Sequence, residues 1–190
     1  VKEITGSIDY IKTRLLAPGQ EVKLFQWTGG CNPLAADIKL TREAGIPNIN
    51  GGDSQMDKSL PSYTGVAPLT RQQGGEIQVL AAASNENIYT RGFTSPLFGF
   101  RQVLETFNNT ENPSALWTGQ GIPRRVSPIN VYFHYYIADK KVALDSLVEV
   151  LEKSTRQEIS PIYTSQYAQM VLDFLKVNIR TGGPDRWLIS

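Results

Sequence analysis

The chain has 190 residues, 41% hydrophobic and 19% charged, with a mean hydropathy of -0.25. That is the profile of a folded domain and excludes disorder as the default state. Nineteen Lys and Arg against eighteen Asp and Glu leave a net charge of +1. With no basic run in the chain, a nucleic-acid partner lacks its electrostatic footprint.

No apolar stretch reaches the roughly eighteen residues a bilayer span needs, so no membrane insertion is expected. The length suits one α/β domain with a substantial core. The N-terminal "VKEITGSIDYIKTRL" lacks the hydrophobic region of a signal peptide. It begins on Val and reads as helix from the start, as expected of a piece of a longer polypeptide.

In chain order, Ile4, Ile8, Ile11 and Leu15 recur at helical spacing until "APGQ" stops the helix. "EVKLFQWTG" reads as a buried strand, and "NPLAADIKLTREAG" as a helix opened by Pro33 and closed by Gly45. "IPNINGGDS" is a second short strand running into a loop. Residues 55–75, mostly Ser, Pro, Thr, Gly and Gln, form an irregular excursion. "EIQVLAAAS" is a third strand, the polar "NENIYTRG" follows, and "PLFGFRQVLETFNN" is a helix with Leu97, Phe100, Val103, Leu104 and Phe107 on one face.

After a connector from Thr110 to Ser127, "PINVYFHYYI" is a fourth strand. "KVALDSLVEVLEKSTRQ" is a helix expected to turn Val142, Leu144, Leu147, Val150 and Leu151 inward. "ISPIYTS" is a fifth strand and "SQYAQMVLDFLKV" the last helix. The tail "NIRTGGPDRWLIS" breaks the rhythm. We therefore divide the chain into an α/β unit over 1–178 and the start of a following module or tail over 179–190. Strand-then-helix repetition predicts parallel strands joined by crossovers, in an open sheet or a barrel.

Ligands of parallel α/β folds bind beyond the C-terminal ends of the strands. The residues expected there include Trp27, Cys31 and Asn32, then Asn50 and Asp53, then Asn87 and Tyr89, then His134 and Tyr135, and finally Tyr163, Ser165 and Tyr167. Amides offer paired donors and acceptors to sugar hydroxyls, and flat rings offer a face on which a pyranose stacks. A carbohydrate fits this set. The plain alternative is that Asn and Gly punctuate loops.

There is no GxSxG elbow and no GxxxxGK[ST] loop, so neither serine-hydrolase nor P-loop chemistry is indicated. One His and one Cys far apart in sequence do not make a metal site. His134 is the sole histidine. Taken alone, an imidazole in an aromatic strand is more often a structural core residue than a catalytic one.

The series "WTGGCNP", "LTREAGIPNINGGDS", "NENIYT", "PLFGFRQVLETF", "SPINVYFHYY" and "SPIYTSQYAQ" resembles, in order, the later half of the PelA-type polysaccharide deacetylase domain. The resemblance implies a partial or distorted (β/α) barrel and a hydrolase that removes acetyl from N-acetylhexosamines of an exopolysaccharide. It also implies a periplasmic or secreted location, exopolysaccharide-secretion proteins as partners, and a divalent metal, zinc by preference.

The resemblance makes His134 the general acid that protonates the leaving amine, a task suited to a group titrating near neutrality. It places Asn32 and Asp53 where the group carries supporting or substrate-contacting motifs, and the strand-end residues Trp27, Asn50, Asn87, Tyr89 and Tyr135 are read as further substrate contacts. The family's metal-binding Asp and paired His, and its base aspartate, come from strands upstream of anything resembling Val1. No metal and no turnover are therefore expected of this chain by itself. A half barrel would also leave an edge strand open to oligomerisation. The other reading is a noncatalytic carbohydrate-binding or scaffolding module with a deacetylase-like shell.

Overall fold

A computed structural model describes residues 2–28, 31–50, 68, 70–80, 128–131 and 133–190. The helix expected over 96–109, the polar loop before it and the connector 110–127 lie outside the described residues. The described part is mixed α/β, with a sheet of mainly parallel strands and helices on both of its faces.

The first helical run comprises a π-helical segment Lys2–Gly6, an α-helical turn α1 (Ser7–Tyr10) and a second π-helical segment Ile11–Leu15. Ile4 and Ile8 are buried, but Leu15 is exposed. The expected fourth inward position fails because the π turns, seen in the Leu16 N–H donating to the Ile11 carbonyl at 3.1 Å, shift the helical phase.

β1 (Phe25–Trp27) leads through α2 (Ala35–Glu43) to β2 (Asn48–Asn50). α2 starts as its sequence dictates: the Leu34 N–H donates to Asp37 Oδ2 at 3.1 Å, which satisfies an orphan donor of the first turn. It ends at Gly45, whose φ of +71° is the left-handed conformation that closes helices.

The end of the presumed irregular excursion is regular. β3 (Thr70–Gln73) turns through Gly74 and Gly75 into β4 (Glu76–Val79), antiparallel to it. Both glycines have positive φ, +56° and +83°, as a tight hairpin turn requires. The sheet order is β1-β2-β4-β3, with β1, β2 and β4 parallel and β3 as the antiparallel edge.

Two further strand expectations are corrected. Among the described residues of 128–137 the strand state is limited to an isolated bridge at Val131, and Tyr135–Asp139 is a 3₁₀ helix. It leads directly into α3 (Lys141–Thr155). Residues 159–163 are an exposed connection, neither strand nor helix, to α4 (Thr164–Phe174). Pro161 there has no N–H to give a ladder. α3 buries Ala143, Ser146, Leu147, Val150 and Ser154, while Val142, Leu144 and Leu151 are exposed. Leu147 and Val150 thus face the core as expected, and the small residues Ala143, Ser146 and Ser154 hold the other inward positions.

The core sits on both sheet faces. Ile49 and Val79 pair in register and pack with Tyr167, Ala168 and Val171 of α4. Strand alternation turns Phe25 and Trp27 the other way, against Ile4, Ile8 and Ile46, with Leu40 alongside. Each fully buried aliphatic side chain contributes about 1.5–3 kcal/mol before entropy is counted. A separate core joins Ile137 of the 3₁₀ helix to Ala143, Leu147 and Val150, with Val131 against it.

β5 (Ile179–Gly183) and β6 (Arg186–Ile189) form an antiparallel hairpin with every residue exposed. Among the described residues no helix is long and apolar enough to cross a membrane.

Candidate functional site

Because β3 runs antiparallel, its first residues stand at the same end of the sheet as the C-terminal ends of β1, β2 and β4. Arg71 pairs across from Gln78, and both reach the loop that follows β1. The Arg71 guanidinium donates through Nη1 to Asn32 Oδ1 and through Nη2 to the Pro33 carbonyl at 3.2 Å. Gln78 Nε2 donates to the Cys31 carbonyl at 3.1 Å.

Two strand side chains therefore clamp three consecutive loop residues. Cys31 is held at φ +48°, a conformation that costs a residue with a Cβ. Its thiol donates to the Trp27 carbonyl at 3.5 Å. Pro33 is buried, and Asn32 is carried outward to an exposed position.

Trp27 is anchored differently from a sugar platform. Its ring packs against Phe25, with centroids 4.6 Å apart and planes tilted 54°. Its indole N–H donates to Asn48 Oδ1 at 3.0 Å, and Asn48 Nδ2 donates in turn to the Ile77 carbonyl at 3.0 Å. Asn50, opposite Trp27 in the β1–β2 register, is buried at the end of β2.

His134 stands at the entrance of the 3₁₀ helix, where its carbonyl accepts the Ile137 N–H at 3.0 Å. Its imidazole lies nearly parallel to the Tyr136 ring, with centroids 4.8 Å apart and planes at 10°. Tyr135 beside it is 94% exposed, and Phe133 and Tyr136 are exposed as well. The result is an imidazole set among outward-facing rings. Such a group can hold or deliver a proton next to a surface on which a sugar ring can stack.

The sequence candidates thus fall into two sets. Trp27, Asn32 and Asn50 gather at one end of the sheet; His134 and Tyr135 belong to the segment that packs on α3. Asp53, Asn87 and Tyr89 lie outside the described residues.

Sequence reasoning missed Arg71 and Gln78. The signal for Gln78 was a carboxamide inside the apolar strand "EIQVL". Arg71 gave none, since it sits in the polar run "TRQQ". Among the described residues, Gln78 Oε1 and Arg71 Nε are buried with no hydrogen-bond partner.

A cavity of about 460 Å³ opens at the opposite end of the sheet, lined by residues that include Arg42, Pro47, Glu76, Leu172 and Lys176. Its charges are already engaged. Arg42 holds Glu76 with two bonds of 2.9 Å, and Lys176 holds Asp173 at 2.9 Å. The hydrogen bonds from Arg42 keep the Glu76 carboxyl below its usual range, against an opposing effect of burial. Lys176 and then Gln169 do the same for Asp173. None of the described candidate residues, Trp27, Asn32, Asn50, His134 and Tyr135, lines this cavity.

Among the described residues, no three His, Cys, Asp or Glu side chains stand close enough to share a metal ion. Comparison of the chain with protein-family models, with curated proteins and with solved structures found no match.

Proposed function

We propose that this chain is the acid-bearing, sugar-contacting part of a polysaccharide deacetylase that acts on N-acetylhexosamine units of an exopolysaccharide. The observation that supports this reading most is the setting of His134: an imidazole stacked on Tyr136 beside the outward-facing ring of Tyr135. In the proposed role His134 gives its proton to the departing amine, while Tyr135 supports the sugar. The loop carrying Asn32 contributes a second contact. The attacking water, its base and the metal belong to polypeptide other than these residues. In this proposal the sheet continues into a distorted (β/α) barrel, and the location is periplasmic or secreted.

The test is acetate release from an N-acetylhexosamine oligomer, measured for the 190-residue chain and for the polypeptide extended upstream as its gene encodes it. The extended protein should release acetate and the chain alone should not. His134→Ala should lower turnover by on the order of 10²–10⁴-fold while oligomer binding persists. Undiminished turnover in that variant overturns the assignment. Oligomer binding without acetate release by the extended protein selects a noncatalytic carbohydrate-binding module instead, a reading that the outward-facing Tyr135 supports equally.

A further inference from the structure

The clamp on the β1–α2 loop fixes the polarity of an exposed side chain. A guanidinium has donors only, so the Asn32 atom that faces Arg71 must be the carbonyl oxygen. The Nδ2 amide group is thereby directed away from Arg71. Among the described residues no acceptor takes Nδ2, and Asn32 is exposed. Among those residues no carboxylate lies within ion-pair distance of Arg71, whose side chain donates only to Asn32 and the Pro33 carbonyl. Arg71 is tied down by the Pro33 carbonyl, and the loop by Gln78, so the amide cannot simply turn over. An outward donor pair beside a guanidinium matches an acceptor oxygen and disfavours an ammonium.

We infer that Asn32 is a specificity-determining residue that donates to the acetamido oxygen of an N-acetylated hexosamine and discriminates against the deacetylated, cationic sugar. This rests on the carbohydrate reading proposed above. It adds a direction to that reading, since the acetylated form is retained and the ammonium form is released.

The experiment measures binding of two probes to the 190-residue chain, an N-acetylhexosamine oligomer and the same oligomer fully deacetylated. The wild type should prefer the acetylated probe by about five- to tenfold. Asn32→Asp keeps an oxygen toward Arg71, so its melting temperature should equal or exceed that of the wild type, while its outward atom becomes an acceptor. Its preference should reverse.

Asn32→Ala, which removes the outward amide, should bind both probes alike. Wild-type preference for the acetylated probe that both variants retain overturns the role of Asn32 and leaves the carbohydrate reading standing. Binding of neither probe by the wild type overturns the carbohydrate reading, and this inference with it.

Discussion

The indole N–H of Trp27 donates to Asn48 Oδ1 at 3.0 Å, and the same amide donates to the Ile77 carbonyl at 3.0 Å, so one buried side chain links β1 to β4 across β2. Asn48 is fully used in both senses, as acceptor and donor. Asn48→Leu should leave the indole N–H and the Ile77 carbonyl with one partner fewer each, at a cost of about 1–3 kcal/mol in chemical denaturation. Asn48→Asp is the sharper variant. It keeps the acceptor for Trp27 but sets a carboxylate against a carbonyl, and should destabilise most at neutral pH. A neutral-pH stability equal to that of the wild type would remove Asn48 from this role.

The β3–β4 turn gives a second prediction, because its two glycines differ in surroundings. A Cβ on Gly74 would lie 2.7 Å from the Cβ of Ala35, whereas one on Gly75 meets nothing within 4 Å. Both have positive φ. Gly75→Ala should therefore cost about 1 kcal/mol, from backbone conformation alone. Gly74→Ala should cost about 2–4 kcal/mol, since overpacking against α2 adds to the strain. Equal unfolding midpoints for the two variants would show that α2 does not press on the turn.

The elements that the sequence made legible are those with local punctuation. α2 lies between Pro33 and Gly45, with Asp37 on the orphan N–H of Leu34, and each of these signals acts within a few residues. β3 was hidden because "TRQQ" has no apolar alternation. Its strand state comes from pairing with β4, and the only local sign of it was the Gly-Gly turn. The segment 128–137 failed the other way. Its aromatic run matched strand propensity, yet Ile137 is drawn into a core with α3, and a 3₁₀ turn satisfies that contact.

The candidate site was legible in its residue types and not in their engagement. Asn32 could be picked out at the end of a strand, but the guanidinium that orients it comes from a residue 39 positions later. Trp27 was expected as an exposed platform. The helical run over Ile4 and Ile8 instead gives its ring a core to join, which sequence periodicity alone could not reveal.

The Arg42–Glu76 pair makes stability depend on pH. Hydrogen bonds from Arg42 lower the Glu76 carboxyl in the folded protein, so the unfolded chain binds the proton more tightly. The pair's contribution is thus complete above the ordinary glutamate range and is lost as pH falls through the depressed folded value. Glu76→Gln should flatten the acid limb of the stability profile and leave a smaller difference near the bottom of that limb than at neutral pH. Arg42 is largely exposed, so added salt should weaken part of the effect. An acid limb that is unchanged in the variant would remove this pair as a source of pH dependence.

The C-terminal hairpin is the last element whose behaviour follows from its packing. Asn178 and Ser190 close it with reciprocal backbone bonds of 2.7 and 3.0 Å, and every residue of both strands is exposed, including Trp187 at 66%. A two-stranded hairpin is marginal in water by itself. Since it buries none of its own residues, it gives the α/β part little support in return. Truncation after Asn178 should therefore leave the unfolding midpoint within about 2 °C of the intact chain. It should also lower self-association measured by sedimentation, because Ile179, Trp187, Leu188 and Ile189 leave with it. A fall of many degrees would mean that the hairpin braces the sheet and that its exposure is not its resting state.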